Sequence, residues 1–239
     1  MTEFRDIWVY LSTSPLLHLT LTLLAFQFGN RLYRRMGMNP IFNPVLIAVI
    51  LLVSILLLTG TTYQTYFAGA QFVHFLLGPA TVALAIPLYR QFHHVRHSAL
   101  AILASLVAGS ITAATSAVAI AWALGASRLS IISVAPKSVT APIAMGITEQ
   151  FGGLPSLTAA LVMLTGITGA MLGPLVLNLI GIKDWQARGF AMGTASHGIG
   201  TARAIQVNEV AGAFSGLAMG LNALATAILL PIAWKLFFG

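Results

Sequence analysis

Two short segments concentrate polar side chains and helix-disfavouring residues in an otherwise apolar chain. The first is 133–146, "SVAPKSVTAPIAMG", in which two prolines six residues apart enclose a lysine and two hydroxyls. Proline removes a backbone donor and disfavours helix at the residue before it, so this spacing predicts a broken helix. A lysine and hydroxyls inside such a break could bind a small anion. The residues are Pro136, Lys137, Ser138, Thr140 and Pro142.

The second segment is 193–204, "GTASHGIGTARA". Each glycine weakens a helix by about 1 kcal/mol relative to alanine, so a second break is predicted here. Backbone amides at a half-helix N-terminus attract anions, and hydroxyl, imidazole and guanidinium groups add donors. A buried arginine also has ordinary alternatives, since Arg203 could reach the membrane interface or pair with Glu209. Gly193 is the expected helix break, and the candidate binding residues are Ser196, His197, Gly198, Gly200, Thr201 and Arg203.

Composition decides where these segments must lie. Apolar residues make up 58% of the 239 positions and charged residues 7%, and the mean hydropathy is +0.90. Soluble domains carry about 25% charged residues, so this chain cannot cover a water-facing surface. Its apolar runs reach the roughly 20 residues that span a bilayer, and they are continuous rather than alternating. The sequence predicts an all-α polytopic membrane protein with no signal peptide removed from its start.

About eight membrane elements are predicted, two of them discontinuous. Irregular backbone at membrane depth is tolerated only where protein buries it or water reaches it, so both breaks are expected to line a cavity. The predicted elements are 7–29, 41–59, 72–90, 98–125, 129–150, 154–180, 188–207 and 210–238.

Three pairs of short motifs indicate an internal repeat. "NPVL" and "LPSL", "GPATVALA" and "GTASHGIG", and "AIAW" and "PIAW" recur at offsets of 111, 115 and 112 residues. They predict one membrane domain over 1–239 with repeat halves 1–127 and 128–239. Loop 30–39 is basic while its counterpart near 150 carries Glu149, which favours an inverted repeat with a re-entrant element. Pro79 is the corresponding helix break of the first half.

The residues do not indicate catalysis, metal binding, dinucleotide binding or nucleic-acid binding. No nucleophile, base and acid stand together, so no enzyme is predicted. His93 and His97 lie one helical turn apart without a third ligand, which favours a basic loop over a metal site. "GIGTAR" lacks the third glycine of a dinucleotide fingerprint, and no cofactor is expected. The basic residues fall mainly in short loops, as membrane topology requires, so nucleic acid is not an expected partner.

Several longer motifs resemble the LrgB/CidB family of bacterial inner-membrane proteins. They are "FLLGPATVALAIPLY", "PKSVTAPIAMGI", "GGLPSLTA", "GFAMGTASHGIGTARA" and "GAFSGLAMGLNALATA". The resemblance implies a multi-pass protein of the bacterial cytoplasmic membrane that works beside a smaller LrgA/CidA-type membrane partner. The family is described as antiholin-like, and a plastid relative exports glycolate and glycerate. Bacterial members have been linked to pyruvate movement. The motifs add Asn222 to the candidate binding residues.

Two functions remain open. One is a carrier for small monocarboxylates such as pyruvate, glycolate, glycerate or lactate, with His197 or Glu149 carrying a coupled proton. The other is an antiholin-like regulator of murein hydrolase activity and autolysis without a solute of its own. A homo-oligomer is also expected, and Gly212, Gly216 and Gly220 are its obvious helix face, although ordinary helix packing is the more common use of such glycines. A non-selective channel would need a wider polar stripe.

Overall fold

The computed structural model describes residues 15–76, 79, 82–83, 85–90 and 92–238. These residues form helices and their connections, with no strand among them. The chain divides into two compact units, Met1–Ala83 and Leu84–Gly239, which are treated separately. The predicted repeat halves remain a prediction, because this division records contacts and does not test internal symmetry.

The first unit contains three helices, α1 (Pro15–Arg35), α2 (Pro44–Thr59) and α3 (Tyr63–Phe75), with a 3₁₀ turn at Pro40–Phe42. The Asn43 side chain accepts from the amides of the first turn of α2, so it caps that helix. α1 packs on both other helices. Its Thr22 hydroxyl lies 2.9 Å from the Tyr66 hydroxyl of α3.

Two predicted boundaries in this unit are wrong. Loop 30–39 was expected to hold three arginines, but α1 continues through Arg35, because arginine is a good helix former and a basic last turn suits the helix dipole. Segment 60–71 was expected to be a loop, and a membrane element was expected to begin at 72. The helix begins at Tyr63, where the Thr62 hydroxyl accepts from the Thr65 amide at 3.2 Å.

The second unit contains the remaining helices in chain order: α4 (Ala85–Arg90), α5 (Phe92–His97), α6 (Ala99–Ala123), α7 (Arg128–Val134), α8 (Ala141–Gln150), α9 (Pro155–Leu179), α10 (Trp185–Val207) and α11 (Glu209–Phe238). Among the described residues, three helices are long and apolar enough to cross a membrane: Ala99–Ala123, Pro155–Leu179 and Glu209–Lys235. The chain is therefore a multi-pass, all-helical membrane protein. The count of eight membrane elements and the inverted repeat stay predictions.

α10 and α11 form the closest helix pair of this unit. Only Asn208 separates them, and its side chain accepts from the amides of Val210 and Ala211 at 2.9 and 3.1 Å. Gly189 and Gly193 of α10 face the backbone of α11 with no room for a β carbon. A core of buried apolar side chains joins this pair to α6. It consists of Ile102, Leu106, Phe190, Phe214 and Ala218.

Candidate functional site

The first break separates α7 from α8 where the two prolines stand. α7 ends at Val134, and α8 begins at Ala141 with Pro142 in its first turn, where the missing amide proton costs no helix bond. Pro136 is fully buried within the intervening turn, and Pro142 is exposed. The predicted element 129–150 is thus two short helices joined by residues 135–140.

Three buried hydroxyls, none of them singled out from the sequence, fix the two half-helices of this break to α9. The Thr158 hydroxyl of α9 lies 2.9 Å from the Ser133 carbonyl of α7 and 2.8 Å from the Thr148 hydroxyl of α8. The Ser133 hydroxyl accepts from the Leu154 amide at 2.9 Å and donates to the Leu129 carbonyl at 2.7 Å. The side chains of Ser133, Thr148 and Thr158 are fully buried, so these bonds are made away from water and lipid.

The second break is a single residue within α10. His197 has φ 42° and ψ −134°, a left-handed backbone conformation that side chains rarely adopt. The prediction that Gly193 breaks the helix is wrong. Gly193 is helical and lies against the Ser215 carbonyl of α11, so close packing is the reason for the glycine. Gly200 is also helical and lies against the Met192 carbonyl.

Contacts with α9 hold the second break in place. The His197 Nε2 atom lies 2.9 Å from the Val162 carbonyl. Because a carbonyl only accepts, Nε2 carries the proton and Nδ1 is the acceptor of the neutral ring. Gly166 lies against this imidazole, and Gly169 lies against the Ser196 hydroxyl. A β carbon at either glycine would overlap those side chains, so the glycines make room for the break.

Asn222 of α11 connects the first break to α10, one turn before the second break. Its Nδ2 donates to the Thr194 carbonyl of α10 at 3.0 Å and to the Ser138 carbonyl of the first break at 3.3 Å. Its Oδ1 accepts from the Ser110 hydroxyl of α6 at 2.6 Å. One amide side chain, 1% exposed, therefore joins four parts of the unit and satisfies its own donors and acceptor.

Thr201 and Ser215 form a second buried polar contact between α10 and α11. The Thr201 hydroxyl lies 2.9 Å from the His197 carbonyl and 3.0 Å from the Ser215 hydroxyl. Gly198, directly after the break, is half-buried, and its nearest neighbour on α11 is the Met219 sulfur. The C-terminal half of α10 is thus bonded to α11 through buried hydroxyls.

Two buried hydroxyls on the breaks have no hydrogen-bond partner in the described part of the chain. They belong to Ser138 and Ser196, which are 5% and 1% exposed. Nearly all buried polar groups in proteins find a partner, so such hydroxyls are candidates for a ligand or a water. Lys137 adjoins the first of them, is half-buried, and has no carboxylate within 4 Å among the described residues. The first break therefore combines a positive charge and a spare donor, which suits a small anion.

The remaining predicted site residues are less closely connected. Arg203 is half-buried on α10, and Glu209, its expected alternative partner, lies 3.6 Å from Arg90. Thr140 is half-buried at the start of α8, whereas Glu149 is exposed near the end of that helix. Pro79 is exposed, but its neighbours lie outside the described residues.

Sequence reasoning missed the polar side chains that sit singly in apolar helices. These are Ser110, Ser133, Thr148, Thr158, Thr194 and Ser215. The available signal was their chemistry alone, since a hydroxyl inside a membrane helix needs a partner there. Among the described residues, no three metal-binding side chains lie together.

The amino-acid sequence is similar to those of known proteins along most of its length. The LrgB-like family matches residues 22–236. The chain is 36% identical to the protein YxaC of Bacillus subtilis over 217 residues, which cover 91% of this chain and 94% of that protein. It is 31% identical to the holin-like protein CidB of Staphylococcus aureus over 223 residues, which cover 93% of this chain and 97% of that protein. No solved structure matches the chain.

Proposed function

The chain belongs to the LrgB-like family, and from that membership and the geometry of the two breaks we propose that it carries small monocarboxylates across the membrane. Pyruvate, glycolate, glycerate and lactate are the proposed class of solute. The proposal is for a binding and transport role without enzymatic chemistry or cofactor.

One observation carries the proposal. Asn222 joins the first break to α10 one turn before the second break. In the described part of the chain, the buried hydroxyls of Ser138 and Ser196 have no hydrogen-bond partner, and the half-buried Lys137 beside Ser138 has no carboxylate within 4 Å. An unpaired cation is expensive at membrane depth, and a carboxylate ligand removes that cost. Carboxylate oxygens accept from both ammonium and hydroxyl donors, and such charge-assisted bonds are the strong ones.

In this scheme Lys137 and Ser138 bind the carboxylate, and Ser196 reads a neighbouring hydroxyl or keto oxygen. Arg203 and Thr140 add positive charge and a donor nearby. His197 is the better candidate for a coupled proton, because it is buried at a break while Glu149 is exposed. Its Nδ1 atom is the position that would accept that proton.

The proposal also covers the protein's setting. We place it in the bacterial cytoplasmic membrane, in a homo-oligomer and beside an LrgA/CidA-type small membrane partner. The staphylococcal relatives are named holin-like proteins, and the second candidate is an antiholin-like regulator of murein hydrolase activity and autolysis. That candidate gives Lys137 and the two spare hydroxyls no role.

Uptake of labelled pyruvate and glycolate into proteoliposomes tests the carrier. Lys137→Gln should lower uptake about tenfold or more, because a hydrogen bond to a charged group is worth about 1.5–3 kcal/mol. Lys183→Gln is the matched control, since Lys183 is exposed in the connection after α9. Runs with and without a pH gradient, repeated with His197→Gln and Glu149→Gln, identify the coupling group.

The result that contradicts the carrier is an absence of saturable uptake by correctly inserted protein, even with the partner present. An equal loss in Lys137→Gln and Lys183→Gln would remove the anion site from the first break. The first result makes the regulator the better explanation, and complementation of a lysis defect by Lys137→Gln would support it. The second leaves a carrier whose anion site lies elsewhere.

A further inference from the structure

A groove of about 400 Å³ lies between α6 and α11, apart from the two breaks. Its α6 wall is formed by Ala99, Leu103 and Leu106, and its α11 wall by Leu217 and Leu221. Leu103 is 58% exposed, whereas Leu106 belongs to the core beneath. The volume falls within the range of sites that enclose a small ligand. This lining has almost no polar atoms, so the groove does not suit the carboxylate proposed above.

One positive charge lies at an end of the groove. Arg96 of α5 belongs to its wall, is exposed, and has no carboxylate within 4 Å in the described ranges. Phe92 lines the groove one turn before Arg96. The surface of the groove is therefore almost entirely carbon, and the exposed Arg96 side chain supplies a cation at its edge.

Its length fits within one leaflet of a bilayer. Phe92 and Arg96 lie one turn apart on α5, and Ala99, Leu103 and Leu106 repeat every three or four residues along one face of α6. Seven residues separate Ala99 from Leu106, which is about 10 Å along α6. Half of a hydrocarbon core is roughly 15 Å thick. With Arg96 at the headgroup level, the aliphatic wall of α6 lies within that leaflet.

We propose that this groove binds one anionic phospholipid, with its phosphate on Arg96 and an acyl chain along the leucines of α6 and α11. Basic pockets between transmembrane helices favour anionic headgroups, and anionic lipids attract juxtamembrane cations. The proposal does not depend on the proposed transport function.

The chemistry of the lining suits a lipid. An acyl chain matches the aliphatic walls, and the phosphate of an anionic headgroup complements the exposed Arg96 side chain. A second copy or a partner helix is the alternative occupant that the test below detects.

Native mass spectrometry of the detergent-purified protein tests the proposal. The probes are phosphatidylglycerol and phosphatidylcholine with identical acyl chains. Arg96→Gln should weaken phosphatidylglycerol binding several-fold and leave phosphatidylcholine binding unchanged. Leu103→Trp, which fills the groove from an exposed position, should weaken binding of both lipids. Arg128→Gln is the matched control, because Arg128 is exposed at the start of α7 and does not line the groove.

Three outcomes would overturn the inference. One is wild-type phosphatidylglycerol affinity in Arg96→Gln, and another is an equal loss in Arg128→Gln, which would indicate general charge attraction. The third is a lipid-free dimer, or a lipid-free complex with a co-expressed LrgA-type protein, that Leu103→Trp dissociates. That result would assign the groove to a protein contact. Because the readout is lipid binding, failure here leaves the carrier proposal intact, and failure of uptake leaves this one intact.

Discussion

The two helix breaks of the second unit differ in what causes them. Between α7 and α8, six residues that include Pro136 separate the half-helices, Pro142 lies in the first turn of α8, and three buried hydroxyls fix both halves to α9. Within α10 there is no proline, and one residue, His197, leaves helical geometry. Its imidazole and the preceding Ser196 lie against glycines of α9.

The difference separates a break encoded locally from one that depends on packing. Proline disrupts a helix wherever the segment lies in the fold, so the first break is caused by its own residues and not by its neighbours. A histidine at positive φ costs about 1–3 kcal/mol and persists only where surrounding contacts outweigh that cost. The Val162 carbonyl, Gly166 and Gly169 supply those contacts. The second break should therefore be sensitive to changes on another helix, and the first should not.

The largest expected effect comes from Gly169→Leu. The new side chain would overlap Ser196, so α9 and α10 could not pack, at a cost of about 3 kcal/mol or more. Thermal unfolding in detergent measures this loss. Gly146→Leu is the matched control, since nothing lies within 4 Å of a β carbon at that exposed position of α8. Equal destabilisation by both variants would contradict a break that depends on α9.

Asn222→Leu should have the next largest effect, because it removes the hydrogen bonds that join α11 to α6, to α10 and to the first break. The Ser110 hydroxyl and the carbonyls of Ser138 and Thr194 lose their partner, at about 2 kcal/mol. Equilibrium unfolding in a mixed-detergent titration measures this, with Asn178→Leu on the exposed end of α9 as control. A variant as stable as the wild type would mean that each break stands without the other.

The smallest effect is also the most diagnostic. His197→Gly and His197→Ala both lose the imidazole. At this positive φ alanine is strained by its β carbon, whereas glycine has no β carbon and is not strained. Glycine should therefore be the more stable variant by about 1 kcal/mol. At an ordinary helical position the order is reversed, so Ala202→Gly on exposed α10 surface should cost about 1 kcal/mol. If alanine is the better residue at 197 as well, the break at His197 is refuted.

Sequence alone was sufficient for the features that depend on local chemistry. Apolar length gave the three long helices, and the paired prolines gave the first break. Prediction from sequence failed where contacts with a neighbouring helix determine the local structure. Gly193 is indistinguishable from a helix breaker until Ser215 is placed beside it, and no local signal marks His197 as the residue that leaves helical geometry.

For the candidate site, too, the sequence identified residues but not their contacts. Lys137, Ser138, Ser196 and Asn222 were identified from their types and motifs, but what Asn222 joins depends on α6, α10 and the first break together. The wrong boundaries have a simpler origin. Arginines at the end of α1 and polar residues at the start of α3 resemble a loop in composition, although capping and the helix dipole favour helix there.

The hydroxyl contacts among Ser133, Thr148 and Thr158 determine which parts of this unit can move independently. They connect α7, α8 and α9 into one group of helices despite the break, and sliding one helix would leave a hydroxyl unpaired away from water. α10 and α11 form a second group through their backbone contact at Gly189 and Gly193. In a motion of one group against the other, each group would move as one body. The Asn222–Ser138 and His197–Val162 bonds cross between the two bodies. An alternating-access motion of one body against the other would have to exchange those two bonds, and both involve residues of the proposed site.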